Sequence, residues 1–150
     1  MTTVPSISMV SLGVGDVAFS ARFYEALGWR TASQSQESVR FLIGHNLVLG
    51  LIGRAELAED ANVEEAGEGF RGVTLAANQT SRQAVDAFFA RATQAGAGAI
   101  KEPTEASWGG YSGYFSDPDG HLWEVAHNPF FRTDQHGIFD LDTPPAAPGL

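Results

Sequence analysis

The chain runs to 150 residues with 9 Lys and Arg against 18 Asp and Glu, a formal net charge of −9, and no cysteine. That balance argues against nucleic acid or other polyanions as partners, and the missing thiols exclude disulfides, thiolate metal sites and a cysteine nucleophile. A hydrophobic share of 43% suits one globular domain rather than a disordered chain. No run approaches the roughly 18 apolar residues a membrane-spanning helix needs. The opening Met1-Thr-Thr-Val-Pro-Ser6 lacks the basic start and apolar run of a signal peptide, so a cytoplasmic location is expected.

In chain order, residues 7–15 read as a strand, with Val10, Leu12 and Val14 on one face and Ile7, Met9 and Ser11 on the other. Asp16 stands where an N-cap belongs, and a helix is expected to about Leu27, with Gly28 as its stop. Strands are expected near 29–36, 38–44 and 47–53, the last two joined through Gly44-His45-Asn46. The first half, residues 7–53, is therefore β-α-β-β-β.

Residues 70–128 repeat the plan. Gly72 to Ala77 is a candidate strand, and Thr80-Ser-Arg-Gln83 can form a capping box for a helix carrying Val85, Phe88, Phe89 and Ala92. Strands follow near 98–102, 110–116 and 121–127. The pair Phe23-Tyr24 recurs as Phe88-Phe89, at a spacing too long for a solenoid and suited to a duplicated half-domain. Between the halves, residues 54–69 carry six acidic side chains against Arg54: a solvated linker with a short helix at Ala55–Asp60, or a flap that repels anions. Residues 129–150 form a tail with Pro144, Pro145 and Pro148 that frays at its end, although Pro129-Phe130-Phe131 is apolar enough to dock on the body or on a partner chain.

The densest information lies in Ser112-Gly-Tyr-Phe-Ser-Asp-Pro-Asp-Gly-His-Leu-Trp-Glu124. Pro118 presets φ and Gly120 tolerates positive φ, so Asp117-Pro118-Asp119-Gly120 reverses the chain between two strands. Alternation then puts Leu122, Glu124 and Ala126 on one side and Trp123, Val125 and His127 on the other. A carboxylate on an apolar strand must find a cation, a donor or water. Glu124 is either a salt-bridge partner of Arg40 or Arg71, an exposed group, or a working residue able to act as acid/base or to bind a ligand's amine.

This hairpin resembles the last hairpin of the vicinal oxygen chelate superfamily, which includes glyoxalase I, bleomycin-resistance proteins and extradiol dioxygenases. Val10-Ser-Leu-Gly-Val-Gly-Asp16 followed by Phe23-Tyr-Glu-Ala-Leu-Gly-Trp29 is similar to the opening strand and helix of the same family. The resemblance implies an α+β fold in which two βαβββ modules form a curved mixed sheet around a cavity. It also implies a homodimer and, in metal-dependent members, a divalent ion held by His, Gln or Glu from paired strands of each half.

The glutamate ligand of that set corresponds to Glu124, but the other positions offer Met9, Val48 to Gly50, and Gly72 or Thr74. Three protein ligands is the usual minimum for zinc. His45 and His121 fall at turns, His127 on the face opposite Glu124, and His136 in the tail. No metal and no cofactor are therefore expected.

The remaining candidate site is Trp108-Gly-Gly-Tyr111-Ser-Gly-Tyr114-Phe115, where glycines allow close approach and aromatics supply flat surface. Those glycines and rings either start a strand and fill the core or line a ligand site. Alternation separates Tyr111, Gly113 and Phe115 from Ser112 and Tyr114 without saying which face is inner. The expectation is a protein that binds a small, mainly apolar or aromatic molecule through Trp108, Tyr111, Tyr114, Glu124 and Met9, without a metal. The alternative is a glyoxalase-type lyase or isomerase, metal-dependent or using Glu124 as the catalytic acid/base.

Overall fold

The computed structural model describes residues 7–142, so Met1–Ser6 and the expected fraying around Pro144, Pro145 and Pro148 lie outside the described residues. Among the described residues, three helices and two four-stranded mixed sheets give the α+β architecture that the family resemblance implies. The chain divides into two compact units, Met1–Gly72 and Val73–Leu150. No described helix is long and apolar enough to cross a membrane.

The first unit contains β1 (Met9–Val14), α1 (Val17–Ala26), β2 (Arg30–Thr31), β3 (Val39–Ile43), β4 (Val48–Gly53) and α2 (Arg54–Ala61). Its sheet has the order β1-β4-β3-β2, with β1 parallel to β4 and the other pairs antiparallel. Asp16 caps α1 by accepting the Phe19 N–H at 2.9 Å, and Gly28 ends the helix region at φ +102°. Leu12, Val14, Leu42, Leu49 and Leu51 are buried with Phe23 and Tyr24 of α1, which packs on β3 and β4. Strand β2 is shorter than its alternation suggests. The Phe41 N–H, which a longer β2 would use, is instead taken by the Ser35 hydroxyl at 2.9 Å. Acidic α2 packs against β1 and β4, and Arg54 reaches on to the Glu65 carbonyl at 3.0 Å.

The second unit contains β5 (Leu75–Asn78), α3 (Arg82–Gln94), β6 (Gly98–Glu105), β7 (Tyr111–Ser116) and β8 (Leu122–His127), followed by a small hairpin of β9 (Arg132–Thr133) and β10 (Phe139–Asp140). The four-stranded sheet has the order β5-β8-β7-β6 with β5 parallel to β8. Two boundaries differ from expectation. The N-cap of α3 is Ser81, which accepts from the Ala84 N–H at 3.0 Å, one residue later than the expected capping box. β5 begins at Leu75 rather than Gly72, whose φ of +78° takes that residue out of extended backbone.

Val85, Phe89 and Ala92 of α3 are buried, as are Phe115, Trp123 and Val125 of the sheet. Phe115 and Trp123, neighbours across β7 and β8, stack with centroids 6.2 Å apart, and the Phe88 and Phe89 rings close on Phe115 from the helix. β6 passes Pro103 through two register shifts between Ala99 and Thr104. Gly113 makes this possible, since a Cβ there would stand 2.8 Å from both the Lys101 carbonyl and the Pro103 nitrogen. The turn into β8 is tied by Asp117 Oδ1, which accepts the N–H groups of Asp119 and His121 at 2.9 and 2.8 Å.

Candidate functional site

With one sheet face closed by α3, the opposite face of the second unit is free to carry chemistry. Register puts Ala76 of β5, Glu124 of β8 and Tyr114 of β7 in one row across that face, with Asn78, Ala126 and Ser112 in the row beside it. The Tyr114 hydroxyl donates to Glu124 Oε2. That donation, with burial and the nearby negative charge adding to it, raises the Tyr114 pKa above its ordinary 10.0. The phenol therefore remains a donor at neutral pH. Glu124 has no cationic partner among the described residues.

An open pocket of about 410 Å³ stands over the β5 and β8 members of these rows. Its floor is Ala76, Asn78, Glu124 and Ala126. The two alanines keep the floor low, since they project only a methyl group into the space. Trp108, Asn128, Phe131 and Phe139 form the walls. Trp108 is held by an absence of side chain below it: a Cβ on Gly110 would stand 1.7 Å from the indole, so the ring lies directly over that glycine. A Cβ on Gly109 would meet the Phe130 ring at 3.0 Å, and its φ of +96° also favours glycine.

Phe131 and Phe139 come from the C-terminal hairpin. Asp134 Oδ1 ties its turn by accepting from His136 and Ile138 at 2.8 and 3.0 Å. Gly137 brings the turn against the edge strand β5, where a Cβ would stand 1.8 Å from the Asn78 carbonyl oxygen. The two rings then meet edge to face with centroids 5.5 Å apart.

Of the residues singled out from sequence, Trp108, Tyr114 and Glu124 are thus brought together on or beside one pocket. Tyr111 is not. It shares the helix face with Phe115, donates to Asp86 Oδ1 at 2.6 Å and lies under the Arg82 guanidinium at 5.2 Å. The hydrogen bond to Asp86 raises its pKa. Met9 belongs to the first unit, on the sheet face away from the buried Leu12 and Val14, with its sulfur above Gly50. Ala76, Asn78, Asn128, Phe131 and Phe139 were not singled out as site residues. The available signal was Asp134 and Gly137 between Arg132-Thr133 and Ile138-Phe139, a turn flanked by short runs able to pair.

A divalent ion does not suit this donor set. The row Ser11, Gly50 and Phe41 in the first unit occupies the same topological positions as Ala76, Glu124 and Tyr114 in the second. The first row contains no carboxylate and the second contains one. No group of three or more His, Cys, Asp or Glu able to hold a metal occurs among the described residues. His127 points to the helix side, its Nδ1 donating to the Gln79 carbonyl at 3.0 Å.

The family model of the Glyoxalase/Bleomycin resistance protein/Dioxygenase superfamily matches residues 6–125. The chain belongs to that superfamily. A glyoxalase-related enzyme from Fulvimarina pelagi is 30% identical and superposes with a TM-score of 0.81, covering 91% of this chain and 98% of its own. A glyoxalase/bleomycin resistance protein/dioxygenase family enzyme from Burkholderia phytofirmans PsJN is 22% identical with a TM-score of 0.72, over 80% of this chain and 96% of its own. Lactoylglutathione lyase from Agrobacterium tumefaciens is 20% identical with a TM-score of 0.64, over 84% of this chain and 96% of its own, a likeness of fold alone. No curated protein sequence matches the chain significantly.

Proposed function

We propose that this superfamily member binds a small, mainly apolar or aromatic molecule, without a metal, in the pocket above Glu124. The observation that carries the reading is the pocket's composition: alanines in the floor, three aromatic rings in the walls, and a single carboxylate held in place by a tyrosine. Affinity in such a pocket comes from apolar area removed from water, about 25 cal/mol per Å², and orientation from its few polar groups.

A second reading, a glyoxalase-type lyase or isomerase, draws on the Tyr114–Glu124 pair. A carboxylate that receives a phenol proton by hydrogen bond can take a proton from a ligand carbon while the phenol supplies one to an oxygen. Binding is preferred because the pair needs no further group to serve as an anchor, whereas a metal-dependent lyase lacks its donors.

A thermal-shift screen of small aromatic compounds on chelator-treated protein tests the binding reading. It predicts ligands that raise Tm in wild type and lose their effect in Trp108→Ala. Stabilisation only after a divalent ion is restored would count against it.

A further inference from the structure

A partly buried carboxylate with no cationic partner among the described residues, standing in a pocket walled by aromatic rings, is an unusual combination for a purely apolar ligand. Burying Glu124 under a neutral hydrocarbon would remove its second oxygen from water with nothing in return. An anionic ligand would meet both that carboxylate and a chain of net charge −9. The ligand class that gains from every wall is an organic cation. Trp108, Phe131 and Phe139 are 49%, 47% and 40% exposed respectively, so their ring surface is open to a ligand despite their place in the pocket. Aromatic faces attract ammonium groups through the ring quadrupole, indole most strongly.

We propose that this pocket binds an organic ammonium group, a protonated or quaternary amine on an apolar or aromatic body. Glu124 is its counter-charge, and Trp108 together with the C-terminal hairpin rings Phe131 and Phe139 forms its enclosure. The proposal rests on the small-molecule reading above and narrows it to a ligand class. Tyr114 donates to one carboxylate oxygen and leaves the other for the ammonium. The Asn78 side-chain amide, with no hydrogen-bond partner among the described residues, stands in the same floor and offers a carbonyl oxygen to a donor N–H. The hairpin is thereby a specificity element: it supplies two of the three rings, and Gly137 against the Asn78 carbonyl sets where they stand.

Calorimetric titration of the chelator-treated full chain with benzyltrimethylammonium, benzylamine and benzyl alcohol at constant ionic strength tests the assignment. Both cations should bind at least about tenfold more tightly than the alcohol, and Glu124→Gln should abolish that preference. Phe131→Leu and Phe139→Leu, which keep apolar bulk but remove the ring face, should each weaken the amines about two- to fivefold while sparing the alcohol. Wild-type protein that binds alcohol and amines equally would overturn the ammonium assignment and leave the small-molecule reading standing. Binding of none of the three would overturn both. The wild-type comparison needs no variant to fold, and Glu124→Gln is isosteric.

Discussion

Tyr114 and Glu124 face each other across the β7–β8 ladder, and the phenol donates its proton to the carboxylate. The pairing links fold to function, because strand register places the donor and a side-chain hydrogen bond then fixes how the carboxylate presents itself to the pocket. Since the folded-state pKa of Tyr114 is raised above its ordinary 10.0, the pair's contribution to stability is whole below that value and is lost as pH climbs through the raised one. Alkaline spectrophotometric titration should show phenolate appearing above the ordinary range, and Tyr114→Phe should remove one of the late-titrating groups. Tyr111, raised by Asp86, should account for another. Normal titration of both tyrosines in folded protein would contradict the two hydrogen bonds.

Gly110→Ala should act on the pocket through Trp108. The added methyl collides with the indole, which must leave its place in the wall. Because the indole is half exposed and can swing outward, we expect little loss of stability, but a change in tryptophan emission and loss of ligand binding. Unchanged emission and unchanged binding would show that the indole does not depend on that glycine.

Phe115→Ala should be far more damaging to the fold. Its ring is fully buried between Trp123 and the α3 phenylalanines, and truncation of such a residue costs about 3–5 kcal/mol. Denaturant unfolding should show this against a small effect for Glu124→Gln, whose side chain keeps its shape and lies only partly buried.

Much of this site is legible in the amino-acid order, for reasons that differ residue by residue. Alternation along β8 and the Asp117–Gly120 turn suffice to put Glu124 and Ala126 on the face opposite Trp123 and Val125. Alternation along β7 separates Tyr111 from Tyr114, but contacts distant in sequence, Tyr111 with Asp86 and Phe115 with Phe88 and Phe89, show which tyrosine faces the helix. The C-terminal hairpin is harder to read. Its strands have two residues each, too short for any periodicity, and its turn meets the body of the unit where Gly137 lies against the Asn78 carbonyl, distant in sequence. The start of β5 and the α3 cap shift because Gly72 takes positive φ and because Ser81, rather than Thr80, meets the first free N–H.

We expect the protein to be a homodimer. The expectation rests on the family resemblance; Phe70, Val73, Ile100 and Phe130 are all exposed, and a second copy would have apolar side chains to cover. Light scattering at micromolar concentration should give twice the 16.0 kDa chain mass. A monomer mass would show that these residues are solvated.

We propose that the pocket over Glu124 works without a metal ion. Elemental analysis of the purified protein, after equilibration with zinc, nickel and manganese and removal of unbound ions, addresses it most directly. We predict no stoichiometric divalent ion, because the row Ala76–Glu124 contains one carboxylate and the row Ser11–Gly50 contains none. About one ion per chain, lost on Glu124→Ala, would contradict it and make the metal-dependent enzyme the better reading.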